Sequence, residues 1–134
     1  MSLISVAALI LAMAPPRAPT EVVEAMFAAF NAHDARAIAK LYAPDARLTS
    51  SDFCAPRGQR DVVRTYQPLF DAMPDIHDTV ETITVAGDRV TVHFTAASQT
   101  AGLNLKIVAV LEVRDGLIVR DDSRFETDGQ PCTP

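Results

Sequence analysis

The spacing of apolar residues changes once along this chain, at "MPDIHD" (residues 73–78), and that change limits what it can fold into. Before this point apolar side chains recur every three or four residues, as on the buried stripe of a helix. After it they alternate, as on a half-buried strand. Val22, Val23, Met26, Phe27 and Phe30 make one broad face. Residues 20 to 32 therefore read as a helix, with Thr20 as N-cap and Glu21 and Glu24 in the first turn. "NAHD" breaks it, and Asp34 caps a shorter helix that carries Ile38, Leu41 and Tyr42 and is ended by Pro44. Ala46 to Ser50 reads as a short strand and "SSDFCAPRG" as a loop. A third helix from about Gln59 to Met73 presents Val62, Val63, Tyr66, Phe70 and Met73, with Pro68 inside it as a kink.

From residue 76 onward the period of two predicts four strands: Ile76 to Val85, Arg89 to Ser98, Leu103 to Arg114 and Leu117 to Glu126. "AGD" and "RDG" mark tight turns between them and "QTAG" a looser one. Three N-terminal helices followed by a curved, mainly antiparallel sheet is an α+β arrangement in which the helices cover one face. The 134 residues suffice for one domain with a real core, and the sequence contains no repeat or low-complexity linker.

Composition narrows the partners. The net charge is −5, the 12 Lys and Arg residues are scattered, and there is no Trp, so nucleic acid is not the expected partner. "SLISVAALILAMA" (2–14), followed by "PPRAP", is continuously apolar and has the length of the core of a secretory signal. Residues 1–18 are therefore set apart as a signal peptide or N-terminal apolar extension, and 19–134 as the domain. The expected location is the periplasm or outside the cell, with no membrane association of the mature domain; an uncleaved tether or a cytoplasmic protein with an added helix is the alternative. In an exported chain Cys54 and Cys132 would form a disulfide, joining the tail "DGQPCTP" to the loop after the first strand. That link is worth roughly 4 kcal/mol on the loop-entropy argument. In a cytosolic chain both would be ordinary thiols.

The order of elements, together with "FNAHDARAIAKLYAPDARL", Gly58 before the third helix, "MPDIHDTVETITVAGDRVTVHF" and "VLEVRDGLIV", resembles the nuclear transport factor 2-like superfamily. Within it the chain is similar to the SnoaL-like and ketosteroid-isomerase-like proteins over residues 20 to 126. The resemblance implies a cone-shaped roll with a central pocket. In the isomerase branch a Tyr on the first helix, an Asp ending the first strand and a protonated Asp on a central strand do the chemistry, each carboxyl tuned to its task by its surroundings. Those positions fall here on Met26, Ser50 and Ala109, which supply neither a base nor an acid, so that reaction is not expected. In the SnoaL-like branch the inward positions of the last strand carry a His and a catalytic Asp. Here they are Asp121 and Ser123, with the Asp in the place of the His.

Strand parity outlines the pocket. Val90, Val92, Phe94 and Ala96 share one face, as do Leu103, Leu105, Ile107, Ala109 and Leu111. On the last strand Leu117, Val119 and Phe125 set the inward parity and turn Asp121 and Ser123 inward with them. Desolvation should then raise the pKa of Asp121 and make it the acid–base candidate; facing water beside Arg120 or Arg124, it would do neither. The expected pocket residues are Met26, Ser50, Tyr66, Val92, Phe94, Ile107, Ala109, Ser123 and Phe125 around Asp121. Tyr66 matches a family position that lines the cavity, and Asp52 could stand in for the missing base or simply hold its turn. His33, His77 and His93 match no metal-site spacing, and neither metal nor cofactor is expected.

On the outer sheet face Val108 and Val110 lie among Lys106, Glu112, Thr91 and His93, an apolar spot with a polar rim that suits a homodimer. Three functions follow from this reading. One is an exported domain binding a small, mostly apolar molecule. Another is a lyase, isomerase or cyclase with Asp121 as acid or base. The last is a non-catalytic interaction or assembly module whose cone is filled by its own side chains.

Overall fold

A computed structural model describes residues 15–126 and 131–134. The apolar run read as an export signal lies in 1–14, outside the described residues. Helix α1 spans Pro19–Asn31 and α2 spans Ala35–Ala39. Strand β1 (Tyr42–Ser50) follows, then a single 3-10 turn (Gln59–Asp61), and α3 (Val62–Ala72). The remaining strands are β2 (His77–Ala86), β3 (Arg89–Ser98), β4 (Leu103–Arg114) and β5 (Leu117–Phe125). No described helix is long and apolar enough to cross a membrane.

The α+β reading holds, and three local expectations are corrected. Helix α1 begins at Pro19 with Ala18 as an N-cap that offers no side chain, so Thr20 is already inside the helix. Pro is suited to that first position because the N–H it lacks would have had no helical partner. The second helix ends at Ala39, and Tyr42 is the first residue of β1 rather than the last turn of a helix. Pro44 is tolerated in that strand because β1 is a sheet edge and its ladder with β5 is irregular between Tyr42 and Arg47. The third correction lies in β5. Ile118, fully buried, is the inward residue at its start, and Val119 is extra: Val113 pairs with Ile118 and Glu112 with Arg120. This bulge shifts the parity by one residue, so Asp121 and Ser123 turn inward after it although Leu117 and Val119 do not share their face.

The sheet runs β1-β5-β4-β3-β2, with β1 and β5 parallel and the other pairs antiparallel. Asp115 and Gly116 both have positive φ, 52° and 75°, as the tight β4–β5 hairpin requires. Helix α1 packs on β2, β3 and β4, and α2 on α3. Val22, Val23, Val62, Val90, Leu111 and Ile118 are fully buried where these layers meet.

Cys54 and Cys132 are joined by a disulfide across a sequence separation of 78. Around it the tail is stitched to the loop after β1. Phe53 and Thr133 form a parallel bridge, and the Cys54 N–H donates to the Thr133 carbonyl at 3.0 Å. Arg57 lies over the Phe53 ring, 4.0 Å from its centroid, and donates to the Pro134 carbonyl at 3.1 Å.

Candidate functional site

Between α1, α3 and the concave face of the sheet is a cavity of about 190 Å³. Most of its wall is apolar, because the period-two face of β3 and β4 contributes Phe94, Ala96, Ile107 and Ala109 while α1 contributes Met26, Phe27 and Phe30. Of the residues expected from the sequence, Met26, Ser50, Tyr66, Phe94, Ile107, Ala109, Asp121, Ser123 and Phe125 all lie on this wall. Val92 does not. It is fully buried between Ile83 and Ala109 in the neighbouring strands, and lies in the closely packed core rather than beside the open space.

Asp121 is 5% exposed and stands opposite Leu48 on one side and Leu111 on the other. Two hydroxyls donate to its carboxyl: Tyr42 to Oδ2 at 2.5 Å and Ser123 to Oδ1 at 3.0 Å. Burial raises its pKa, and the two donors pull it back only in part. Tyr42 itself is buried, and its hydroxyl also lies 3.5 Å from Met26 Sδ. Burial first, then the charge of Asp121, pushes the Tyr42 phenol well above its ordinary value. The residues thus bring a phenol to the neighbourhood of Met26 from β1 instead of from α1. Sequence reasoning misses it because Tyr42 fits the apolar stripe of a helix that stops three residues sooner.

A second carboxyl also escapes the sequence reading. Asp78 is 6% exposed and lines the same cavity. Its backbone is clasped by the Asn31 side chain, which donates to the Asp78 carbonyl at 2.9 Å and accepts from its N–H at 2.8 Å. Its carboxyl oxygen Oδ1 is buried with no hydrogen-bond partner, and burial pushes the pKa up to about 7. A signal for it exists: Asp78 is two residues after Ile76, which is 3% exposed, and so faces inward at the start of β2. Tyr66, half-buried, lines the same cavity. Burial raises its pKa, with the charges of Asp121 and then Asp78 adding to the effect. Asp52 reaches the cavity edge but is engaged in the turn, accepting from Thr133 Oγ1 at 3.2 Å while its N–H donates to Ser50 Oγ at 3.1 Å. Among the described residues none that lines the cavity is Lys, Arg or His.

Residues 23–121 match the family described as the SnoaL-like domain. The chain belongs to this family. This SnoaL-like domain is also similar to solved structures that share its fold. One is IdmH, a proposed polyketide cyclase from Streptomyces antibioticus, at 22% identity and a TM-score of 0.70, covering 82% of this chain and 93% of that one. Another is AclR, a proposed hydroxylase from Streptomyces galilaeus, at 24% identity and a TM-score of 0.69, covering 82% and 90%. A third is a hypothetical protein of ketosteroid isomerase-like fold from Catenulispora acidiphila in complex with trimethylamine, at 24% and 0.67, covering 77% and 83%. No curated protein is significantly similar in sequence. The positions that carry isomerase chemistry elsewhere in the fold, Met26, Ser50 and Ala109, are on the cavity wall here without an ionisable group among them.

Proposed function

We propose that this SnoaL-like domain binds a compact, mostly apolar small molecule and holds its polar end against Asp121, Ser123 and Tyr66. The observation that carries the reading is the cavity itself, an apolar wall interrupted by a few convergent, buried polar groups. Open space beside these groups favours a ligand over a cone filled by its own side chains. The test is a thermal-shift screen of small apolar compounds bearing one hydrogen-bonding group, run on the wild type, Asp121→Asn and the cavity-filling Ala109→Phe. A compound that stabilises the wild type and loses its effect in Ala109→Phe supports the reading. Stabilisation that persists unchanged in Ala109→Phe puts the ligand elsewhere and rejects it.

A second reading is acid–base catalysis of the lyase, isomerase or cyclase type, with Asp121 as the base. It is favoured by a carboxyl that is desolvated yet held by two donors aimed at its ionised form. The cyclase named among the structural relatives fits that class. Turnover of a bound compound, abolished in Asp121→Asn with binding retained, separates catalyst from binder. We also infer export, which the disulfide and the apolar run at 2–14 support. Homodimerisation through the outer face of β3 and β4 is inferred from half-buried Val108 and Val110 between the ion-paired Glu112 and the exposed Lys106.

A further inference from the structure

The cavity has an electrostatic imbalance that an uncharged ligand would leave in place. Two carboxyls, each at least nine-tenths buried, line one apolar space, and among the described residues no lining residue is a cation. Asp121 is partly compensated by its two hydroxyl donors, whereas Asp78 has an orphaned Oδ1. An ionised carboxylate in such surroundings is costly unless a donor or counter-charge meets it. Among the described residues none hydrogen-bonds Asp78 Oδ1. Asn31, from α1, is committed to the Asp78 backbone. His33, in the turn after α1, has its Nε2 on the Ile76 carbonyl at 2.7 Å. Ala96, the β3 partner of Asp78, is apolar. Tyr66 from α3 and Asp121 from β5 face the same space and are raised acids themselves. Arg57, whose charge reaches Tyr66, is engaged with Thr65, Phe53 and the tail.

The rest of the wall suits the same kind of guest. Phe27, Phe30, Phe53, Tyr66, Phe94 and Phe125 place six aromatic rings around the cavity. Aromatic faces attract cations, most strongly where the pair is desolvated. The net charge of −5 adds a long-range pull in the same direction.

We infer that the ligand carries a protonated amine, received by the unpartnered carboxylate of Asp78 with the aromatic rings of the wall around it. This rests on the proposal that the cavity binds a small apolar molecule, and it adds a charged anchor at Asp78 to the contacts proposed at Asp121, Ser123 and Tyr66. The ammonium supplies both the donor that Asp78 Oδ1 lacks and the missing positive charge. Because burial holds Asp78 near half-protonation at neutral pH, binding a cation there expels a proton from it.

The test compares benzylamine with its uncharged isostere benzyl alcohol by calorimetric titration of the full, oxidised chain between pH 6 and 8, where the amine stays protonated. At pH 8 the amine binds at least tenfold tighter than the alcohol, and its advantage shrinks toward pH 6 as Asp78 takes up its proton. At pH 7 amine binding releases about half a proton, read from the dependence of the heat on buffer ionisation. Asp78→Asn, whose backbone remains clasped by Asn31, removes both the preference and the proton release. Alcohol binding as tight as amine binding at pH 8 overturns the amine assignment while leaving a ligand-binding cavity intact. Amine binding without proton release, or unchanged in Asp78→Asn, also overturns it. Failure of both probes to bind removes the cavity reading together with the amine.

Discussion

Replacing Asp78 with Asn tests what the buried carboxyl does to the stability of the unliganded protein. Burial raises the Asp78 pKa from 3.8 to about 7, so the folded chain holds this proton more tightly than the unfolded chain does. The sign follows from linkage: the contribution of Asp78 to stability is fully present below pH 3.8 and is lost as pH rises toward 7. A shift of roughly three units at about 1.4 kcal/mol each gives about 4 kcal/mol lost across that window. Asparagine has the same shape and no charge, so Asp78→Asn should not show this loss. Its amide meets the same shortage of partners, but that penalty is the same at every pH and cancels when the two chains are compared across pH. The assay is urea denaturation of both proteins at pH 4, 6 and 8. Relative to wild type, the variant gains about 4 kcal/mol between pH 4 and pH 8. A difference that stays flat within about 1 kcal/mol over that range would refute the reasoning, because it would mean that the Asp78 carboxyl reaches water or finds a donor.

Tyr42→Phe removes the stronger of the two donors to Asp121 and should cost about 2 kcal/mol, the usual worth of a hydrogen bond to a buried charged group. The loss should grow with pH as Asp121 ionises; a urea midpoint that moves equally at acid and alkaline pH would contradict the bond. Cys54→Ser opens a link that spans a sequence separation of 78 and should lower stability by about 4 kcal/mol. Wild type treated with reductant should match the variant, and a melting curve indifferent to reductant rejects a formed disulfide. Val108→Lys places a charge in the apolar spot on the outer face of β4 and should convert a dimer to a monomer by sedimentation. A wild-type mass near 14.5 kDa, or a dimer unaffected by the substitution, removes that interface.

The four later strands are legible to within about a residue because alternation is a direct image of one buried face. Val90, Val92, Phe94 and Ala96 are all buried on β3, and Thr91, His93 and Thr95 are not. The stretch "LYAPDARL" is less legible, since Leu41 and Tyr42 continue the apolar stripe of α2 although the chain has already turned into β1. What decides there is the parallel pairing of Tyr42 with Ile118, a contact 76 residues away that local periodicity cannot register. Parity finds Asp121, but for a reason the bulge at Val119 revises. Asp78 escapes because "MPDIHD" reads as a boundary, and a boundary residue is ordinarily free to face water. Its burial depends on α1 lying over the start of β2 and on the grip of Asn31, neither of which a single-sequence pattern reports.

The stitched tail has a consequence for the order in which the molecule matures. Phe53 belongs to the cavity wall, and its loop is held by Cys132 and Thr133, which follow the last strand of the sheet. The sheet and helices need none of that tail to find one another, since their ladders and core are complete by Phe125. A chain whose strands have paired but whose cysteines remain reduced would therefore be folded by most spectroscopic measures while the wall at Phe53 was still unfastened. Backbone folding and completion of the cavity wall are then two events, the second timed by oxidation of Cys54 and Cys132.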